Sequence, residues 1–167
     1  MSILITSGTE ILRYPYAQDI NEEKYYDFVY RPDDRENSKE YLQDDVIILP
    51  TFNGLYYVCT NPGISAATIS TFGTTVRSKT TDGTVIWKAQ AYDFLLNTGD
   101  TLSSSSWIGS TGVTIANDSN NTRKTWCKIT EIPSEEEFTI TNRVTVLRSD
   151  GKEEIYDRSI TIPIAVL

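Results

Sequence analysis

The sequence predicts a mainly β protein: a small β module followed by a β-sandwich, with an extended arm at the N-terminus. Three observations lead there. From Asp45 onward, short runs of β-branched and aromatic residues are separated by turn signals, giving about seven strands in the manner of a sandwich. Nothing in the chain requires a helix longer than a turn or two. Residues 1 to about 40 read differently from the rest, with tyrosines standing among charges.

In chain order, Ser2–Thr6 (SILIT) is a short apolar strand candidate, and Pro15 and Pro32 interrupt any long helix in the segment after it. Lys24–Arg31 (KYYDFVYR) has strand-forming residues, and Asp33–Asp45 could make one short helix. A segment of this kind buries little by itself, so it is expected to pack on the body of the chain or on a neighbour. Val46–Leu49 is a continuous apolar run ended by Pro50. Phe52–Thr60 carries Asn53-Gly54, a strong hairpin signal, and Asn61-Pro62-Gly63 is a further turn. After the small, polar stretch Ser65–Ser78, Asp82-Gly83 turns the chain into Thr84–Gln90, and this turn is expected to set the register that sends Trp87 into the core. Asp93–Gly99 allows a helical turn. Asp100–Ser110 and Thr111–Asp118 then read as strands. In Thr122–Ile132, Trp126, Lys128 and Thr130 share one face while Cys127 and Ile129 share the other. Glu137–Arg148 alternates with Phe138, Ile140, Val144 and Val146 inward. Asp150-Gly151 turns it back into Glu153–Val166.

A length of 167 residues admits one domain or two small ones. The 3 Trp, 10 Tyr and 5 Phe argue against disorder throughout. A net charge of −8 excludes a general nucleic-acid binder, and Arg123-Lys124 is too short to form a basic stripe. Neither a signal peptide nor a run of roughly 20 apolar residues is present, so a soluble protein made in a cytoplasm is expected. Cys59 and Cys127 sit in strand-like surroundings and read as buried free thiols.

The chain has no histidine, which excludes Ser-His and Cys-His nucleophiles and histidine-ligated zinc. Glu135, Glu136 and Glu137, like Asp44 and Asp45, read as solvated charge at strand ends rather than a glycosidase pair. Asn117–Asn121 lacks the spaced acids of a calcium loop, and no phosphate-cradling glycine loop occurs. No cofactor is implied. Trp87, Trp107 and Trp126 remain as core plugs or sugar-stacking platforms. Adjacent Tyr56 and Tyr57 point to opposite faces, one of them available for contact.

Two stretches carry a family resemblance. Residues 44–89, with Gly63, Ser65, Phe72, Thr81, Asp82, Gly83, Thr84, Val85 and Trp87 in matching places, resemble a small β module of tailed-phage virion proteins and tail fibres. Ile69 and Ser70 stand where that module has its proline. The layout is also similar to chitin-binding-type carbohydrate modules. Residues 92–115 and 137–164 resemble the immunoglobulin-like domain of phage structural proteins, through Gly99-Asp100-Thr101, Ser106-Trp107, Thr141-Asn142-Arg143-Val144, Asp150-Gly151 and Asp157-Arg158-Ser159.

The resemblance implies an assembly arm over residues 1–40, a small β module over 41–90 and an immunoglobulin-like sandwich over 91–167. It further implies a non-enzymatic virion protein, made in the host cytoplasm, that decorates or cements the head or belongs to the neck or tail. Its partners would be major capsid, portal, neck or tail subunits and symmetric copies of itself. Assembly contacts would come from Tyr14, Tyr16, Tyr25, Tyr26, Phe28 and Tyr30. The alternative is an adhesion module that binds host-surface polysaccharide through Tyr57, Phe72 and Trp87.

Overall fold

The computed structural model describes residues 2–8, 11–134 and 136–165, and among these it is all-β, with no helix. The strands are numbered along the chain. The first four are β1 (Ser2–Leu4), β2 (Ile11–Arg13), β3 (Gln18–Asp19) and β4 (Lys24–Val29). The next are β5 (Asp33–Asp34), β6 (Glu40–Tyr41), β7 (Val46–Ile48), β8 (Leu55–Asn61), β9 (Gly63–Ile64), β10 (Lys79–Asp82) and β11 (Val85–Ala91). The last are β12 (Thr101–Gly109), β13 (Thr114–Asn120), β14 (Lys124–Glu131), β15 (Glu137–Leu147) and β16 (Glu153–Ala165). The chain divides into two compact units: Met1–Arg31 with Phe94–Leu167, and Pro32–Asp93.

The first unit has two sheets that contribute to one core. One sheet runs β1-β4-β14-β13, antiparallel except for the parallel β1–β4 pair. The other runs β12-β15-β16-β2; β2 and β3 both lie parallel to β16. The alternation of each strand decides what is buried. Tyr26, Phe28, Cys127 and Ile129 point inward from the first sheet, and Leu102, Phe138, Ile140, Val144, Val146, Ile160 and Ile162 from the second. Each large side chain so buried stabilises the fold by about 1.5–3 kcal/mol.

Asn142 takes the one inward position on β15 that is polar, and it is fully buried. Its Oδ1 accepts from the Tyr30 hydroxyl and from Thr125 Oγ1, both at 2.8 Å. Its Nδ2 donates to Ser105 Oγ at 2.8 Å and to the Ser106 carbonyl at 3.0 Å. All four bonds of the amide are made, so its burial costs little.

The N-terminal strands β1 to β4 are built into the two sheets rather than standing apart as an arm. Ile3, Ile5, Tyr14, Tyr26, Phe28 and Tyr30 belong to the core of this unit. The reason lies in the alternation of Lys24–Tyr30, which places Tyr26, Phe28 and Tyr30 inward and Tyr25 and Asp27 outward. Asp93–Gly99 forms no helical turn. The Asp100 carboxylate accepts from the Asn97 N–H at 2.8 Å, and the Asp100 N–H donates to the Asn97 carbonyl at 3.1 Å, closing a tight turn. The chain leaves this unit after Arg31 and returns at Phe94. There the Leu96 N–H donates to the Tyr30 carbonyl at 3.2 Å and Arg31 Nη1 to the Asn97 carbonyl at 2.9 Å, so exit and return lie side by side.

The second unit has a sheet of order β10-β11-β8-β7-β5 and a small β6-β9 pair. Its core is Tyr41, Ile47, Leu55, Tyr57, Cys59, Phe72, Val85, Trp87 and Ala89. Asp33–Asp45 makes β5, β6 and turns instead of a short helix. Asp82 pairs with Val85, so the two-residue loop between β10 and β11 is Gly83-Thr84, one residue later than an Asp-Gly turn. Gly83 has φ +67°, and a Cβ there would lie 2.2 Å from the Ile64 carbonyl oxygen, so both conformation and space demand glycine.

That shift frees Asp82 for the interior. Its carboxylate meets the Arg35 guanidinium in a fork, Nε to Oδ2 and Nη2 to Oδ1 each at 2.9 Å, with both side chains buried. Oδ1 also accepts from Ser70 Oγ at 2.9 Å and from the Ala66 N–H at 3.2 Å. Arg35 Nη2 reaches the Ala66 carbonyl at 2.7 Å, and Nη1 donates to Asn37. Burial raises the Asp82 pKa, but the hydrogen bonds from Arg35, Ser70 and Ala66 outweigh it and hold the carboxyl below its ordinary value.

Candidate functional site

Tyr57, Phe72 and Trp87 come together, but inside the second unit. The Tyr57 and Phe72 rings meet edge-on with centroids 4.9 Å apart, and Trp87 meets Tyr41 at 4.9 Å. Tyr57 and Trp87 are fully buried and Phe72 is 7% exposed. The Tyr57 hydroxyl donates to the Gly73 carbonyl at 2.8 Å and accepts from Asn53 Nδ2 at 2.9 Å. Period-two alternation along β8 sends Tyr57 inward with Leu55 and Cys59, while Tyr56 and Val58 lie on the other face. These three rings present no face to a sugar; they are the core of this unit.

The six aromatics of the N-terminal segment separate into two sets. Tyr14, Tyr26, Phe28 and Tyr30 are core residues. Tyr14 packs on Tyr26 with centroids 5.5 Å apart, Phe28 packs on Trp107 at 4.8 Å, and the Tyr26 hydroxyl donates to Gln18 Oε1 at 2.8 Å. Burial pushes the Tyr26 and Tyr30 phenols well above their ordinary pKa. Tyr16 and Tyr25 stay on the surface, each 54% exposed.

Tyr25 belongs to an aromatic surface on the outward side of the β1-β4-β14-β13 sheet. The register sets Tyr25 opposite Lys128 and Asp27 opposite Trp126, which makes Tyr25 and the half-buried Trp126 diagonal neighbours on one face. Lys128 Nζ lies 5.8 Å from the Tyr25 ring centroid and pairs with Glu23. Ser2 Oγ donates to Asp27 Oδ2 at 2.7 Å, fixing that carboxylate beside the indole. Two rings on a pleated surface, flanked by an ammonium and a carboxylate, can adhere to a protein or stack on a sugar. The shared face of Trp126 and Lys128 is evident from alternation alone. That Tyr25 joins them depends on the β4–β14 register, which no local signal encodes.

A further polar cluster is tied together around Arg148. Arg148 donates to Asp100 Oδ2 at 2.8 Å, Glu154 Oε2 at 2.6 Å and the Tyr156 hydroxyl at 2.6 Å. Asp100 also accepts from the Ser149 N–H at 3.0 Å. Burial raises the Asp100 carboxyl pKa, and the bonds from Arg148, Asn97 and Ser149 more than reverse it. A recess of about 200 Å³ lined by Arg31, Asp100, Thr101, Thr122 and Arg123 is smaller than the pockets that enclose organic ligands. A broader, open depression in the second unit is lined by Glu36, Asn37, Thr51, Thr68 and Ile69 over Arg35. Cys59 and Cys127 are free and buried, one in each unit. Burial pushes the Cys127 thiol up to about 12, far from the thiolate that reacts. Glu136 and Glu137 are exposed, as are Asp44 and Asp45; Glu135 lies outside the described residues.

Comparison with family models, with curated proteins and with solved structures returns no match. Among the described residues no helix is long and apolar enough to cross a membrane.

Proposed function

We propose that the chain is a non-enzymatic structural component of a tailed-phage particle, serving in the head as a decoration or cement protein or in the neck or tail. The observation that carries this reading is the outward Tyr25–Trp126 surface beside Lys128 and Asp27. Exposed tyrosine and tryptophan are the side chains that anchor protein interfaces. The buried polar groups around Asp82, Asp100 and Asn142 are tied to partners within the chain and serve its shape. What the molecule offers to others is therefore adhesive area.

On this reading the first unit is an immunoglobulin-like sandwich and the second is the small β module. The N-terminal segment docks through Tyr16 and Tyr25, while its buried aromatics hold it in place. The protein acts in the virion after synthesis in the host cytoplasm, against capsid, portal, neck or tail subunits. Contacts of modest area suffice there, because symmetry repeats them.

Particles purified from the genome that encodes this chain are expected to contain it in fixed stoichiometry, read by mass spectrometry and antibody labelling. The double variant Tyr25→Ser, Trp126→Ser is expected to fold as the wild type and to be missing from particles. Particles without the wild-type chain would sink this reading. The same ring surface also favours a second one, polysaccharide adhesion. Glycan-array binding lost in the double variant, by a chain absent from particles, would select it.

A further inference from the structure

We infer that Asn53 is a self-modification site, at which the side-chain amide is lost as ammonia to the backbone nitrogen of Gly54, leaving aspartate or isoaspartate. The two residues that react are consecutive in the chain and lie at the surface. Asn53 and Gly54 are exposed, so water reaches both. Gly54 has φ +83°, and a Cβ built there would meet nothing within 4 Å. Among the described residues no acceptor takes a hydrogen bond from the Gly54 N–H, so the nucleophilic nitrogen is neither shielded nor engaged. The Leu55 N–H donates to Asn53 Oδ1 at 3.2 Å. That oxygen gains negative charge when the tetrahedral centre forms, and a donor already placed on it lowers the barrier in the manner of an oxyanion hole. The Tyr57 hydroxyl oxygen accepts from Nδ2 at 2.9 Å, so the departing nitrogen is held in one place rather than free to turn.

In the first step the Gly54 nitrogen gives up its proton and bonds to Asn53 Cγ, while the carbonyl electron pair moves onto Oδ1. When that pair returns, the Cγ–Nδ2 bond breaks. Nδ2 leaves as ammonia, carrying the proton that left Gly54, and a cyclic imide remains. Water then adds to one of the two imide carbonyls. Breaking the bond from Cγ to the Gly54 nitrogen yields aspartate; breaking the bond from the Asn53 carbonyl carbon to that nitrogen yields isoaspartate. Water is consumed and ammonia released, with no oxidant or cofactor.

The product would also rewire the interior. Tyr57 has one hydroxyl proton, given to the Gly73 carbonyl, while its oxygen accepts from Asn53 Nδ2. A carboxylate in place of the amide is an acceptor only, so it competes with Gly73 for that proton. Modification would thus loosen the segment that carries Phe72 and Gly73.

The test tracks amide-to-acid conversion at each asparagine of the full chain by peptide mass mapping, at neutral pH, folded and in denaturing urea. The urea sample supplies the rate intrinsic to an Asn-Gly pair. Asn53 is expected to convert severalfold faster in the folded protein than in urea, giving both products. Tyr57→Phe, which keeps the ring in the core, is expected to lower the folded rate and leave the urea rate unchanged. A folded rate at Asn53 equal to or below that in urea would overturn the proposal, and this comparison stands even if the Tyr57 variant fails to fold. A Tyr57→Phe variant that folds and converts as fast as the wild type would overturn it as well.

Discussion

Asp82 shows how much one residue's position in a turn can decide. An Asp-Gly pair reads as a solvated turn, yet Gly83-Thr84 makes the loop and Asp82 closes a buried fork with Arg35. Removing one partner leaves the other charge buried and alone, so Asp82→Ala is expected to destabilise the second unit by about 3–5 kcal/mol in urea unfolding. The pH dependence comes from the lowered Asp82 pKa. A carboxyl with a depressed folded pKa contributes stability that is complete above its unfolded value, near 3.9, and is lost as pH falls through the folded value. The gap between wild type and Asp82→Asn is therefore expected to be constant from neutral pH to about 4 and to narrow below it. A gap independent of pH down to the acid transition would contradict this assignment. The sequence contained Arg35 and Asp82, but nothing local links residues so far apart along the chain.

At the scale of elements, the N-terminal strands are structural members. A chain beginning at Pro32 loses β1 and β4 from one sheet, β2 and β3 from the other, and Tyr26, Phe28 and Tyr30 from the core. Such a truncation is expected to leave the first unit unfolded, seen as loss of dispersed amide signals from β14–β16. A truncated chain that keeps those signals would show that the segment is dispensable after all. The antiparallel pair β15–β16 was legible, because alternation and the Asp150-Gly151 turn identify the strands that meet. The parallel pairs β1–β4, β2–β16 and β5–β7 were not, because each joins strands with no tight turn between them. The same blindness hid half of the candidate surface. Trp126 and Lys128 were visibly on one face, while Tyr25 came beside them only through long-range register.

Over the whole molecule, the second unit is one unbroken stretch of chain with its own core and its own buried ion pair. Residues 32–93 made alone are expected to fold, with Trp87 in an apolar environment by fluorescence and cooperative urea unfolding. A featureless, non-cooperative trace would refute that independence. The complementary chain, with Arg31 joined to Phe94 by a short flexible linker, is expected to keep the first unit intact, since the ends to be bridged are already neighbours. The bond between the Tyr30 carbonyl and the Leu96 N–H thus has a meaning beyond stability. It marks a seam at which a genome could gain, drop or exchange a whole cassette by recombination, altering what the molecule displays while its host body goes on folding undisturbed.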